Sequence, residues 1–186
     1  MLKTKRLELV EFDVKYANDL FEIWSDFEVI KYTFTPLLTT IDECLNLIEH
    51  QINRTDRDFI DRFVILLNNK AIGMVGCICM DKENFVFGLY YQISRVHWGC
   101  GYASEAASAI MHYVLNKYPN AIFNAEAVSK NPASAAVLMK IGLKQTHIEK
   151  NGFKRNNFEL DLIHYSNDMI QYSGTHNNNG KLKSNG

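Results

Sequence analysis

The chain has 186 residues, close to the ~150 of an average domain, and is 47% hydrophobic and 22% charged, which excludes wholesale disorder and allows a sizeable core. Lysine and arginine total 20 against 21 aspartates and glutamates, a net charge of −1, so nothing marks a dedicated nucleic-acid binder. The longest uncharged apolar-rich stretches, residues 71–80 and 84–94, fall short of the ~18–20 residues of a spanning helix, and the first residues lack the apolar region of a secretion signal.

Residues 6–12 alternate as a half-buried strand. Asp13 stands as an N-cap before a first helix with Ala17, Leu20, Phe21 and Trp24 on one face. Thr40 and Glu43 form a capping box that announces a second helix, whose apolar face is Ile41, Cys44, Leu45, Ile48 and Ile52. Three extended segments follow, 62–67, 71–80 and 85–93, separated by turns at 68–70 and 81–84, which predicts an antiparallel meander. Cys77 and Cys79 share one face of the middle strand. The four cysteines contain no Cys-x-x-Cys pair and point to a reducing, cytoplasmic setting.

A third helix is predicted over about 102–116, with Ala103, Ala107, Ile110 and Val114 on one face, and a strand over 122–128. Asn131-Pro132 opens a short fourth helix that Gly142 closes. Two last strands, 143–150 and 156–165, flank Asn151-Gly152, a strong hairpin-turn signal. The chain from 168, most plainly from Ser173, is polar and is expected to form a disordered tail, leaving 1–167 as one domain. The order β-α-α-β-β-β-α-β-α-β-β belongs to the α+β (mixed α/β) class.

The informative stretch runs from Ile93 to Ala106: a strand ends, Gly99 and Gly101 follow, and a helix begins. Glycines allow the backbone to turn and approach a ligand, and a helix start offers free N–H groups and positive dipole. The pair is therefore either a phosphate cradle or a tight strand-to-helix turn. No Gly-Lys-Ser/Thr follows, so it is not a P-loop. His97 and Cys100 have no second ligand pair nearby, and no metal is expected.

Trp98-Gly99-Cys100-Gly101-Tyr102-Ala103-Ser104-Glu105-Ala106 resembles the acyl-CoA pyrophosphate loop of the GNAT N-acetyltransferase superfamily. Within it, the ribosomal-protein-alanine N-acetyltransferase branch is the most similar. Asn131-Pro132-Ala133-Ser134, followed by Lys140-Ile141-Gly142-Leu143, resembles a second segment of that branch. The likeness in element order extends from about Lys3 to Tyr165. Trp98 occupies the family's Gln/Arg position, Leu143 replaces its Phe, and Cys100 stands where a basic residue is common, removing one cation from the phosphates.

The resemblance implies a GNAT-like fold with a mostly antiparallel sheet, flanking helices and a splayed central strand pair, 85–93 and 122–128. It also implies acetyl transfer from acetyl-CoA to a primary amine by direct attack in a ternary complex, the protein being a monomer or homodimer. The amine would be a protein N-terminus or a small molecule such as a polyamine, amino acid or antibiotic; a non-catalytic acyl-CoA-binding domain is the alternative. Backbone groups near Gln92 and Ile93 would pair with the pantetheine arm. Trp98 and the N–H groups of Gly99, Cys100, Gly101, Tyr102, Ala103 and Ser104 would form the pyrophosphate site. Asn131 either contacts the cofactor or caps its helix, and Lys140 either approaches the adenosine end or is solvated. Ser134 either serves the leaving thiolate or bonds a backbone carbonyl. Glu126, flanked by Ala125 and Ala127, is either a buried base with a raised pKa or an exposed edge carboxylate, and a water relay without a base is also open. Glu105 is expected to be structural. Trp24, Tyr32, Phe34, Phe153 and Arg155 would line the acceptor groove.

Overall fold

Asn68 and Asn69 both adopt positive φ, 51° and 66°, the conformation of a tight hairpin turn that asparagine tolerates better than most residues. They connect β3 (Ile60–Leu67) to β4 (Lys70–Asp81), and β5 (Val86–Ile93) completes the antiparallel meander. A computed structural model describes residues 1–53, 60–155 and 158–168; apart from Asp168, the expected tail lies outside them.

The strand expected over 6–12 is the shorter β2 (Glu8–Val10), and a further short strand, β1 (Leu2–Lys3), which the alternation does not announce, pairs antiparallel with it. Next come α1 (Ala17–Trp24), a short α2 (Phe27–Ile30) that the apolar periodicity does not announce, and α3 (Ile41–Ile52). The Asp26 carboxylate starts α2 by accepting the Glu28 N–H, and α3 carries the complete Thr40–Glu43 capping box. Beyond the meander lie α4 (Tyr102–Lys117), β6 (Ile122–Val128), α5 (Pro132–Lys140), β7 (Lys144–Arg155) and β8 (Phe158–Ser166). Gly142, at φ 95°, ends α5: its N–H donates to the Met139 carbonyl and that of Leu143 to Leu138, the two bonds of a Schellman motif.

Asn151-Gly152 does not form the last turn. It lies inside β7, where Glu149 faces Leu162 and Phe153 faces Leu160, so four steps along β7 oppose two along β8. Asp161 holds this bulge by accepting from Lys150 Nζ and the Asn151 N–H. The positive φ of Asn151, 53°, thus serves a bulge instead of a hairpin, and it turns Phe153 into a cluster with Val128 and Leu162.

The eight strands order as β1-β2-β3-β4-β5-β6-β8-β7. Both faces of β3 are buried: Phe63 and Ile65 face the core under α4, Val64 and Leu66 the core under α1 and α3. The central join is parallel and short. β5 and β6 pair only at Val86–Ile122, Phe87–Phe123 and Gly88–Asn124, after which β6 continues beside β8 and β5 beside β4. The sheet is therefore split beyond Gly88 and Asn124.

Candidate active site

The split exposes the edge of β5. The Ser94 N–H donates to the Ile72 carbonyl, which makes Gly73–Ile93 a non-hydrogen-bonded pair and Met74–Gln92 a hydrogen-bonded one. The backbone groups of Tyr91 and Ile93 accordingly turn toward the gap. Those of Gln92 turn to β4, a correction to the expectation that Gln92 offers its backbone to a ligand. Its side chain is buried on the opposite face, where Oε1 accepts from Trp24 Nε1 at 2.8 Å and Nε2 donates to Thr35 Oγ1 at 2.6 Å. The Ile93 carbonyl accepts from Trp98 Nε1 at 2.7 Å, so Trp98 pins the loop to the end of β5.

Gly99 and Gly101 adopt φ of 74° and 80°, a region that costs an L-residue with a Cβ roughly 1–2 kcal/mol. Gly101 is the N-cap of α4, and no side chain caps that end. The N–H groups of Tyr102, Ala103 and Ser104 occupy the first turn, where no intrahelical carbonyl reaches them. Beside them is a cavity of about 220 Å³ lined by Gly101, Ser104, Glu105, Ser108, Lys140 and Ile141. Lys140 is exposed and has no carboxylate partner among the described residues. Free donors, positive dipole and a lysine at one concavity suit a diphosphate.

The loop is strapped from behind by Glu105, expected to be structural, and by two residues that sequence reasoning overlooked, Thr4 and Arg6. Glu105 Oε1 accepts from Thr4 Oγ1 at 2.6 Å and from the Arg6 N–H at 2.8 Å, and Oε2 takes Arg6 Nε at 2.7 Å. Arg6 Nη1 donates to the Cys100 carbonyl at 3.0 Å, and its guanidinium lies 4.4 Å over the Tyr102 ring. Burial favours the neutral Glu105 acid, but the bonds from Thr4 and Arg6 prevail and hold its pKa below the usual glutamate value. The cation nearest Cys100 thus comes from a segment almost a hundred residues upstream, and its bonds go to Glu105 and the Cys100 carbonyl. The one local hint was Glu105, a carboxylate in a first turn that needs a counter-charge.

Across the split, Asn131 Oδ1 accepts the Ser134 N–H at 3.2 Å, so the helix-cap role of Asn131 is realised. The half-buried Ser134 hydroxyl lies 3.0 Å from Tyr91 Oη, which also bonds the Ser134 carbonyl at 3.1 Å. Ser134 follows β6 in the chain and Tyr91 is on β5, so this pair bridges the gap. The burial expected of Glu126 is absent. Alternation places Ala125 and Ala127 in the core and Glu126 on the other face, its side chain 43% exposed and 3.4 Å from His164 Nδ1. His164 also meets Glu149 at 3.1 Å and stacks on His147 at 4.1 Å. That same face carries the loop after α2, where Arg155 Nη1 donates to the carbonyls of Ile30, Thr33 and Thr35, and Phe34 packs 5.5 Å from Phe153. Among the described residues, no cluster of His, Cys, Asp and Glu is placed to hold a metal ion, and no helix is long and apolar enough to cross a membrane.

A split sheet with a glycine cradle at its mouth is the architecture of an acyl-CoA-type transferase. Residues 6–144 match the Acetyltransferase (GNAT) domain, and the chain belongs to this acetyltransferase family. An uncharacterized N-acetyltransferase, p20 of Bacillus licheniformis, is 26% identical over 175 residues, 93% of this chain and 98% of that protein. RimL, a ribosomal L7/L12 alpha-N-protein acetyltransferase solved in complex with coenzyme A, has TM-score 0.78 at 17% identity, covering 88% of this chain and 94% of its own. The spermidine N-acetyltransferase from Vibrio cholerae, in complex with CoA and spermine, has TM-score 0.75 at 17% identity over 88% and 95%. At such identities the two structures establish the shared fold.

Proposed function

We propose that the protein transfers the acetyl group of acetyl-CoA to a primary amine, a peptide N-terminus or a small molecule, by direct attack in a ternary complex. The observation that carries this reading is the Ser134 hydroxyl, held by Tyr91 over the gap between β5 and β6. The residues present fit the coenzyme: a loop with Gly99 and Gly101 at positive φ, an uncapped α4, Lys140 beside it, and a backbone edge of β5 at Tyr91 and the Ile93 N–H that faces the gap. Asn131, whose Oδ1 caps α5, keeps its amide N–H groups for the pantetheine arm. That the RimL and spermidine enzymes were solved with coenzyme A supports the same choice.

The bound coenzyme supplies an activated acetyl thioester. The chain supplies orientation, proton management and stabilisation of the departing sulfur. Ser134 donates a hydrogen bond to that sulfur as negative charge develops on it. Glu126 lies on the acceptor face two residues beyond the last β5–β6 pair and receives the ammonium proton through water.

Ser134→Ala tests the reading. It is expected to lower kcat and kcat/KM together by about 10²-fold, with acetyl-CoA affinity nearly unchanged. The rise of rate with pH, set by deprotonation of the acceptor amine, should persist in the variant. Turnover equal to wild type across a panel of peptides and polyamines would remove Ser134 from the mechanism. Acetyl-CoA at millimolar concentration should raise the melting temperature of the wild type, and an unchanged value would overturn the choice of coenzyme.

A further inference from the structure

We infer that Tyr91 is the positioning residue behind Ser134, its hydroxyl freeing the serine hydrogen for the departing sulfur. The inference rests on the acetyl-transfer reading above. A phenol has one hydrogen to donate, and a serine hydroxyl has one of its own. Tyr91 Oη faces two oxygens of Ser134, the carbonyl at 3.1 Å, which only accepts, and Oγ at 3.0 Å, which does either.

Two arrangements satisfy this geometry. In one, Tyr91 donates to the carbonyl and Ser134 spends its hydrogen on Tyr91. In the other, Tyr91 donates to Oγ and the serine hydrogen is free to point into the gap. Charge growing on sulfur favours the second, because a serine that accepts one hydrogen bond becomes a stronger donor in the next. When the C–S bond breaks, its electron pair stays on sulfur. The Ser134 and Tyr91 hydrogens remain on their own oxygens, and the thiolate is protonated after release into water. Burial pushes the Tyr91 phenol up to about 12 against the opposing bond from Ser134, so Tyr91 remains a protonated donor throughout the working pH range.

Tyr91→Phe removes only the hydroxyl. We expect kcat to fall about tenfold, with KM and Kd for acetyl-CoA within about twofold. Because Tyr91 acts through Ser134, adding Tyr91→Phe to Ser134→Ala should cost nothing further. A second readout needs no turnover: in the complex with free coenzyme A, thiolate absorbance titrates the bound thiol. The wild type should ionise it at lower pH than free coenzyme A, and Tyr91→Phe should move the midpoint back up by about half a unit. Melting temperatures taken in parallel refer every value to folded protein.

A thiol midpoint equal to wild type, or additive losses in the double variant, would overturn the inference. So would a variant that melts lower but turns over normally. Slow turnover in Ser134→Ala with normal turnover in Tyr91→Phe removes Tyr91 alone. Normal turnover in both removes the Ser134 mechanism and Tyr91 with it.

Discussion

The loop at the start of α4 is made from neighbours along the chain, Trp98 to Ser104, whereas the opposite face of the same split is assembled from residues up to 125 apart, the separation of Arg155 and Ile30. In the first region the backbone is the working part, and side chains such as Arg6 and Glu105 hold it from behind. In the second, side chains are the working part. Trp24, Gln92 and Thr35 form a hydrogen-bonded chain that runs from the core to its edge, and one arginine nitrogen gathers three carbonyls, of Ile30 at the end of α2 and of Thr33 and Thr35 in the loop after it. On the function proposed above, donor binding rests on a short stretch of backbone conformation, while acceptor binding rests on a loop pinned by distant strands. The two should therefore fail separately.

Gly101→Glu strikes the cradle hardest. It forces a side chain onto φ 80°, which distorts the loop, and adds a negative charge at the helix start, so acetyl-CoA affinity should fall by about 10²-fold or more. Titration calorimetry measures this, and an affinity within a few-fold of wild type would detach the cradle from coenzyme binding. Arg155→Met strikes the other region. The loss of three charged bonds to carbonyls should raise KM for the acceptor by about tenfold and lower stability by about 1–3 kcal/mol, leaving the acetyl-CoA Kd unchanged. Equal damage to both substrates would show that the loop and the cradle are coupled.

The smallest effect sharpens the comparison by pH. The folded-state pKa of Glu105 is held below its ordinary 4.5, so its stabilising contribution is complete above that value and is lost as pH falls through the folded pKa. Glu105→Gln should melt roughly 2–4 °C below wild type at pH 7. The gap should close as acid titrates the wild-type carboxyl, and one that stays constant down to strong acid would show that the strap does not depend on charge.

Much of the donor side was legible in the residues themselves. Gly-x-Gly before a helix, Asn-Pro opening the next one and Gly142 closing it are local instructions, because positive φ, a fixed proline φ and a free first-turn N–H are properties of one or two residues. The capping box at Thr40 and the Asn68-Asn69 turn are of the same kind. Asn151-Gly152 shows where this logic stops. Its positive φ was legible, but whether it makes a hairpin or a bulge depends on Asp161, on the facing strand.

Alternation likewise placed Glu126 opposite its alanine neighbours, yet only the open face around His164 decided that it would be half-exposed. The sequence alone determined most of the order of elements, the positive-φ glycine loop and the helix that follows it, because each rests on short-range backbone preferences. The tertiary structure alone decided the strap from Arg6 to Glu105, the Tyr91–Ser134 bridge and the pinned acceptor loop. Those contacts join residues 43, 99 and 125 positions apart, and such pairs meet only after strand order has brought them together.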